Sequence, residues 1–439
     1  MTSSASEKAN GMVSVDTTTG KRRYIIAIGL LAIACLGYMD RVNFSVAAPY
    51  LIKEFSLSTG EFGVVTSIFN WIYVALLIPF GMIADRRGAR LVLPLSIVVW
   101  SIGSGMTGAA FGLGALIIAR LVLGAGESPI YPVGNVVVRE WAPVKERGVF
   151  AGTLNAGSLV GPAIGAVATA YLVVALGWRG SFFVLGGLGV VLGLVWFAIY
   201  NAPEKTKWLS DGERTMILAH RESSTAPTSS TARMSVAKLL RIKTVWGLMI
   251  TQGCAVYTNY LFLSFLPLYL VTERGLKVLS SGWVTGGTYG IAAVGSVTVA
   301  IFSDKVLKNA EVVHGGRRKS VAVALLVTLP LFALPWITNI VLIIALVSWV
   351  LIMVTAAISL NFALASDLIV DRSSSGRVFA LVTIGGNIFG LLAPIVTGYL
   401  VDWTGNYTVP FVVAALLLLV GAVVTWTMSR RPLQPKVTG

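Results

Sequence analysis

Apolar stretches about twenty residues long recur from end to end of this chain, and their number dictates what it can fold into. A helix that spans a bilayer needs about twenty mostly apolar residues. About twelve such segments are present, at 24–47, 59–84, 91–111, 112–138, 148–174, 180–201, 244–272, 278–303, 321–339, 340–368, 378–401 and 408–429. Only 12% of the residues are charged, against about 25% in soluble proteins. The expectation is an all-α, multi-pass membrane protein. The tightest junctions fall at 111/112 and 339/340, where two segments meet with almost no loop. The 46 glycines suit close helix approach in lipid. Cys35 and Cys254 both lie in apolar segments and read as small core residues without a disulfide.

The net charge of +15 suggests nucleic-acid binding until its distribution is read. With the N-terminus cytoplasmic and loops alternating, 28 Lys and Arg fall on one side and 4 on the other, leaving Arg41 and Arg120 inside spans. That asymmetry is the positive-inside bias. It predicts both termini in the cytoplasm, with basic loops against anionic lipid headgroups and no nucleic-acid partner. Residues 1–23 lack the apolar core and cleavage site of a secretory signal, so Lys21, Arg22 and Arg23 read as the flank of the first span.

The polar stretch 202–243 divides the chain. The predicted organisation is a tail (1–23), a six-helix bundle (24–201), a cytoplasmic linker (202–243), a second six-helix bundle (244–429) and a tail (430–439). Within the linker, Ser210 followed by Glu213 predicts a capped helix over 210–221. The halves echo one another. Asp85-Arg86 after span two aligns with Asp304-Lys305 after span eight, and Glu146-Arg147-Gly148 after span four with Gly376-Arg377 after span ten. Repeats at matching topological positions mark two-bundle transporters.

Four charged residues inside spans carry the functional argument: Asp40 and Arg41 in span one, Arg120 and Glu127 in span four. Each costs roughly 2.5–3.5 kcal/mol at mid-bilayer on insertion scales. A shared, wet cavity would compensate them. Arg120 and Glu127 lie two turns apart on one face, about 10 Å along the axis, leaving room for a group from another helix between them. Gly124 and Gly126 are expected to leave the backbone beside that face uncovered. Asp40 and Arg41 differ by about 100° around the helix, while Tyr38 and Arg41 share a face. A buried ion-pair network locking spans one and four is the purely structural alternative. Two arginines and two ionised carboxylates sum to zero. Protonating one carboxylate leaves the site at +1, ready for a monoanion that an Arg fork can hold. Substrate and proton would then favour each other's binding. The only histidines, His220 and His314, fall in predicted loops, and no metal cluster, nucleophile–base pair or phosphate-binding loop appears. An enzyme is therefore not expected, and neither is a cofactor beyond the proton as coupling ion.

Gly81-x-x-x-Asp85-Arg86-x-Gly88-x-Arg90 between spans two and three resembles the conserved loop motif of the major facilitator superfamily, with Ala89 replacing a usual basic residue. Arg120-x-x-x-Gly124-x-Gly126 resembles that superfamily's second motif. Tyr38-Met-Asp40-Arg41-x-Asn43, with Arg120 and Glu127, resembles its anion:cation symporter branch. That branch includes bacterial permeases for galactonate, glucarate, hexuronates and phthalate-type acids, and the animal vesicular glutamate and sialic acid carriers. The resemblance covers about 24–429. It implies twelve helices in two pseudo-symmetric bundles, a monomer in the bacterial inner membrane, and proton-coupled uptake of a sugar acid or other carboxylate by alternating access. It also implies that Asp40 and Glu127 carry protons while Arg41 and Arg120 hold the carboxylate.

Tyr73, Asn387, Ser158 and Ser359 match the family's substrate contacts, although Ser158 stands where some sugar-acid permeases carry an amide and Phe362 near a frequent tryptophan. Tyr38 joins the candidates because it shares a face with Arg41, and Tyr257, Asn259 and Tyr260 for their polarity within an apolar helix. Interhelical hydrogen bonding is the structural alternative for each. Asp85, Arg86, Arg90, Arg147, Asp304 and Arg377 read as gating charges at helix ends, or as solvated loop charges. An anion exchanger or uniporter and an aromatic-acid permease stay open as functions. A drug/proton antiporter fits two cavity arginines less well, and a membrane sensor that binds an acid without moving it is a further, less favoured alternative.

Overall fold

The computed structural model describes residues 20–222, 234–306, 316–369, 374–430 and 433, with Asp85, Asp304, residue 306 and residues 220–222 described by backbone alone. Expectations for Asp85 and Asp304 as gates, and for the histidines, therefore lie outside the described side chains. In chain order the helices are α1 (Tyr24–Glu54), α2 (Thr59–Arg87), α3 (Ala89–Gly108), α4 (Leu113–Glu127), α5 (Ile130–Trp141), α6 (Arg147–Ile199), α7 (Asp211–Glu222), α8 (Val236–Leu239), α9 (Lys243–Thr272), α10 (Val278–Val306), α11 (Arg317–Leu326), α12 (Ile340–Leu368), α13 (Ser375–Thr404) and α14 (Thr408–Met428).

Eleven helical stretches are long and apolar enough to cross a bilayer. One of them does so twice. The 53 residues of α6 would run about 80 Å as a straight helix, far beyond a hydrocarbon core of about 30 Å. Gly177 breaks the helix with φ 73° and ψ 165°, a backbone setting that a Cβ disfavours. Both outer ends of α6 meet the start of α1. The Phe150 ring lies 5.6 Å from Tyr24, and Trp196 packs against Gly29. Next to Gly177, Arg179 pairs with Glu54 at the far end of α1 at 2.6 Å. The chain thus reverses at Gly177, and twelve crossings result among the described residues. Span four is one crossing made of two helices. The chain breaks at Ser128-Pro129, where Pro cannot donate to the helix ladder. The expected tight junctions resolve into short breaks, Ala109–Gly112 and Ile337–Asn339.

The crossings pack as two groups. In the first, α6 lies against α1 and α3, and α4 against α2 and α3. In the second, α9 lies against α13 and α14, and α10 and α11 against α12. The groups meet along α2–α13, α6–α10 and α1–α9. The hydrogen bonds described between them cluster toward one end. Ser45 Oγ donates to the Leu263 carbonyl at 2.8 Å, and Ser67 Oγ donates to that of Leu391. The Asp402 carboxylate accepts from the backbone N–H of both Thr59 and Gly60 at 2.8 Å. Asp402 thereby caps α2 from the other group, at an end already closed by a Ser58–Glu61 capping box. Small residues make these seams possible. A Cβ on Gly63 would lie 2.2 Å from the Pro394 carbonyl oxygen, and one on Gly286 2.5 Å from that of Ala163.

The linker divides its attachments. Its helix α7 forms as expected, with the Glu213 N–H on Ser210 Oγ at 3.4 Å. The Glu213 side chain does not close the predicted capping box. It is fully buried and bonds Arg23 Nη1 and the Arg23 N–H, at 2.9 and 3.0 Å. Arg23 also grips Glu146 with two bonds of 2.7 Å. These bonds, with Glu146 the larger contributor, hold the Arg23 guanidinium above its usual range despite its burial. The α7 end of the linker thus binds the first group. Further along, Leu239 of α8 is buried in a core cluster shared with α9 and α12 residues, and Arg377 Nη1 of α13 donates to the Met234 carbonyl at 2.5 Å.

Candidate functional site

Tight backbone approach builds the site. Cβ atoms on Gly124 and Gly126 would sit 2.5 Å from the Phe69 carbonyl oxygen and 2.3 Å from the Trp100 nitrogen. The expected uncovered backbone is not found. These glycines instead let α2 and α3 close directly onto α4, which carries Arg120 and Glu127 inward from a helix of otherwise small and aliphatic residues.

Glu127 is fully buried and accepts from Arg41 Nε at 2.8 Å. A residue from another helix, Arg41 of α1, thus meets the Glu127 end of the face that Arg120 and Glu127 share. The pair engages only the Nε corner of the guanidinium. The Arg41 Cζ lies 4.6, 4.8 and 4.9 Å from the ring centroids of Tyr38, Phe69 and Tyr73, an aromatic enclosure that favours a cation. Asp40 points elsewhere, as its 100° offset requires. Its Oδ1 accepts from Ser104 Oγ of α3 at 2.9 Å, and its Oδ2 is buried without a hydrogen bond.

Among the described residues, no carboxylate bonds Arg120. It is 2% exposed, and its Nε and Nη1 are buried without hydrogen-bond partners. Its Cζ sits 3.4 Å from the Phe44 ring centroid. Stacking on that ring offsets part of the desolvation cost, about 2 kcal/mol for a desolvated pair, and leaves the Nε and Nη1 donors unmet.

Arg41 and Arg120 line a narrow cleft with Ser45, Thr66, Phe69, Asn70, Tyr260, Leu263 and Ser264. A second, smaller crevice adjoins it through the shared Asn70 and Tyr260, and Asn387 and Val74 also line it. The four span charges are thus not equivalent. The arginines face the cleft, while Asp40 and Glu127 lie behind them at zero exposure.

The structure brings Tyr38, Tyr73 and Glu127 around Arg41, Arg120 to the same cleft as Arg41, and Asn387 to the adjoining one. It does not bring in Ser158 or Ser359, whose hydroxyls bond carbonyls of their own helices, Asn155 and Thr355. Tyr257 is buried and Asn259 half-buried. Neither lines a cleft, whereas Tyr260, one turn beyond Tyr257, lines both. Among the proposed gates, Arg86 and Arg90 are exposed, Arg90 lying 5.8 Å from the Phe197 ring of its own group. Arg147 sits half-buried at the start of α6, and Arg377 reaches the linker. Asn70 was missed by sequence reasoning. It is 5% exposed and its Oδ1 has no partner. An amide inside an apolar span, one turn before Tyr73, is the signal that would have found it. Ser45, Thr66 and Ser264 carried no such signal, because hydroxyls are common in membrane helices.

The family model described as Major Facilitator Superfamily matches residues 30–375 and 248–439. The chain belongs to the Major Facilitator Superfamily. It is therefore a multi-pass membrane transporter and not an enzyme. Among curated members of that family, it is 28% identical over 411 residues to the D-galactonate transporter of Escherichia coli O6:H1, covering 92% of this chain and 94% of that protein. It is likewise 28% identical to the hexuronate transporter of Bacillus subtilis, covering 90% and 92%. A probable sulfoacetate transporter of Cupriavidus necator is 28% identical over 408 residues, covering 92% and 93%. Among solved structures, a bacterial homolog of the human lysosomal transporter Spinster, in an inward-facing and unoccupied conformation, superposes with a TM-score of 0.78 at 18% identity over 94% of this chain and 98% of that one. That likeness establishes the shared fold.

Proposed function

We propose that this transporter takes up a small organic anion, a carboxylate of the sugar-acid type, together with protons. The observation that carries the reading is Arg120, a guanidinium at 2% exposure that lines the cleft without an anionic partner. An unpaired buried cation costs several kcal/mol, and a carboxylate entering the cleft would offset that cost with charge-assisted hydrogen bonds. The relatives' names point the same way, since those proteins carry galactonate, hexuronate and sulfoacetate.

Coupling follows from Arg41. While Glu127 is ionised it holds Arg41 Nε. Protonating Glu127 releases the guanidinium to turn its full fork on the substrate, so the proton and the anion promote each other's binding. Asp40 provides a second proton site on the same helix. Asn70, Tyr260 and Asn387 are neutral hydrogen-bonding groups suited to the uncharged end of the substrate. In this reading the sealed end, where Asp402 caps α2, faces the periplasm. The basic loops and both termini face the cytoplasm, consistent with an inner-membrane protein, and the resting state is closed to the periplasm. Access alternates as the α2–α13 and α6–α10 seams part.

The test is transport in proteoliposomes with an imposed pH gradient, using labelled D-galactonate, hexuronates and sulfoacetate. Glu127→Gln is expected to keep counterflow of the accepted anion and to lose gradient-driven accumulation. Gradient-driven accumulation surviving in both Glu127→Gln and Asp40→Asn would overturn the coupling assignment. Gradient-independent equilibration by the parent protein would favour an exchanger or uniporter.

A further inference from the structure

Asp40 is a buried acid whose surroundings differ from those of Glu127. No arginine bonds it. Its one hydrogen-bond partner is Ser104 Oγ at 2.9 Å, and the same oxygen lies 3.2 Å from the backbone carbonyl of Phe182 on α6. Asp40 and Ser104 are both at zero exposure. The charged groups facing Asp40 are Glu127 and Arg120 of α4 and its neighbour Arg41. Among the described residues of α3 and α6, the polar group that bonds it is the Ser104 hydroxyl.

A serine hydroxyl has one hydrogen and can accept as well as donate. Two acceptors compete for it here, the carboxylate and the carbonyl. An ionised Asp40 takes the hydrogen, because a bond to a charged acceptor is the stronger one. A protonated Asp40 is itself a donor. The chain then becomes Asp40 O–H to Ser104 Oγ, and Ser104 O–H to the Phe182 carbonyl, with every hydrogen used. We propose that Ser104 is a positioning residue for proton coupling: its hydroxyl is a two-position switch that reads the protonation state of Asp40 and links it to α6. The proposal rests on Asp40 carrying a transported proton, as read above.

The switch needs no backbone movement, which suits its place. Gly186 and Ser101 bring α6 and α3 so close that a Cβ on Gly186 would lie 2.9 Å from the Ser101 carbonyl oxygen. One residue before Phe182, Ser181 Oγ donates to Asn43 Oδ1 of α1 at 2.8 Å. Asn43 directly, and Asp40 one turn earlier on α1 through Ser104, are therefore tied to the first turns after the Gly177 reversal. On proton loss only the Asp40 O–H bond breaks. The proton leaves to water, the Ser104 hydrogen turns to the carboxylate, and the α3–α6 bond at Phe182 opens. Phe182 lies on the crossing that follows Gly177, and the crossing before Gly177 carries Ala163 and Ala166, which pack on Gly286 and Gly282 of α10. The link thus ends one turn of chain from the crossing that packs on the other group.

The test uses the full chain in proteoliposomes, with labelled D-galactonate as probe, in Ser104→Ala and Ser104→Thr. Ser104→Ala is expected to keep counterflow within about twofold and to lower gradient-driven accumulation by about fivefold or more, the difference between a charged and a neutral hydrogen bond. Ser104→Thr, which keeps the hydroxyl, restores it. Unchanged accumulation in Ser104→Ala, or an equal fall in counterflow and accumulation, overturns the proposal. Absence of gradient-driven accumulation in the parent protein would instead remove the symport reading. An infrared measurement on the purified protein then decides about Ser104 alone. The carbonyl band of a protonated carboxyl that vanishes in Asp40→Asn should move to higher frequency in Ser104→Ala and return in Ser104→Thr. An unmoved band, or no band that Asp40→Asn removes, overturns the switch.

Discussion

Replacing Gly63 by alanine should unseal the closed end of the transporter. The Cβ would lie 2.2 Å from the Pro394 carbonyl oxygen and 2.9 Å from its carbon, both backbone atoms that no rotamer can move aside. Ordinary contact begins at 3.4 Å, so α2 and α13 must separate locally by about 1.2 Å, enough to forfeit much of the dispersion attraction along the seam. The Asp402 bonds to Thr59 and Gly60, now 2.8 Å, would stretch to about 4 Å and cease to be hydrogen bonds. Overpacking of this kind costs about 1–3 kcal/mol. With two partly exposed, charge-assisted bonds weakened, about 2–3 kcal/mol is a fair total. That corresponds to a change of about 30- to 150-fold in the ratio of sealed to open forms. The assay is labelling of Ser264→Cys, a cleft residue, by a membrane-impermeant maleimide applied from the sealed side, in a background with Cys35→Ala and Cys254→Ala. Gly105→Ala is the control, since nothing lies within 4 Å of its Cβ position. Labelling no faster in Gly63→Ala than in Gly105→Ala would refute the assignment of this seam as the seal.

Asp402→Ala removes the cap without overpacking. It should speed the same labelling by a smaller factor, about 5- to 10-fold for about 1 kcal/mol at an exposed site, and less in high salt, where the carboxylate contribution is screened. Arg120→Ala should weaken binding of the accepted anion at least about 30-fold, from a loss of 2 kcal/mol or more for a buried charge pair. Calorimetric titration measures it, and unaltered affinity would remove Arg120 from the site. Glu213→Ala should loosen the linker helix by about 1–3 kcal/mol, because Arg23 loses one of two carboxylates. The readout is hydrogen exchange of the α7 amides, expected to quicken about 5- to 150-fold if they exchange by local opening.

The twelve crossings were legible because lipid imposes a length and a composition on each, and the residues obey both. The ion pairing at the site was half legible. The spacing of Arg120 and Glu127 announced a gap, and the 100° step from Asp40 to Arg41 announced that only one could fill it. Neither said that Arg41 would take Glu127, or that Asp40 would turn to a serine on α3. Ser158 and Ser359 entered as candidates by matching the family's substrate contacts, and Tyr257 and Asn259 by their polarity in an apolar span. The first two find a partner on their own helix, one turn back, a possibility that sequence spacing leaves open for any serine.

Sequence alone therefore determined the membrane fold, the number of crossings and the presence of buried acids and bases, since each follows from the cost of placing a given side chain in hydrocarbon. Tertiary structure decided which arginine lacks an acid, which glycines press on a neighbouring backbone and at which end the two groups seal. Those outcomes depend on the relative rotation of helices brought together from distant parts of the chain, and no local pattern encodes that rotation.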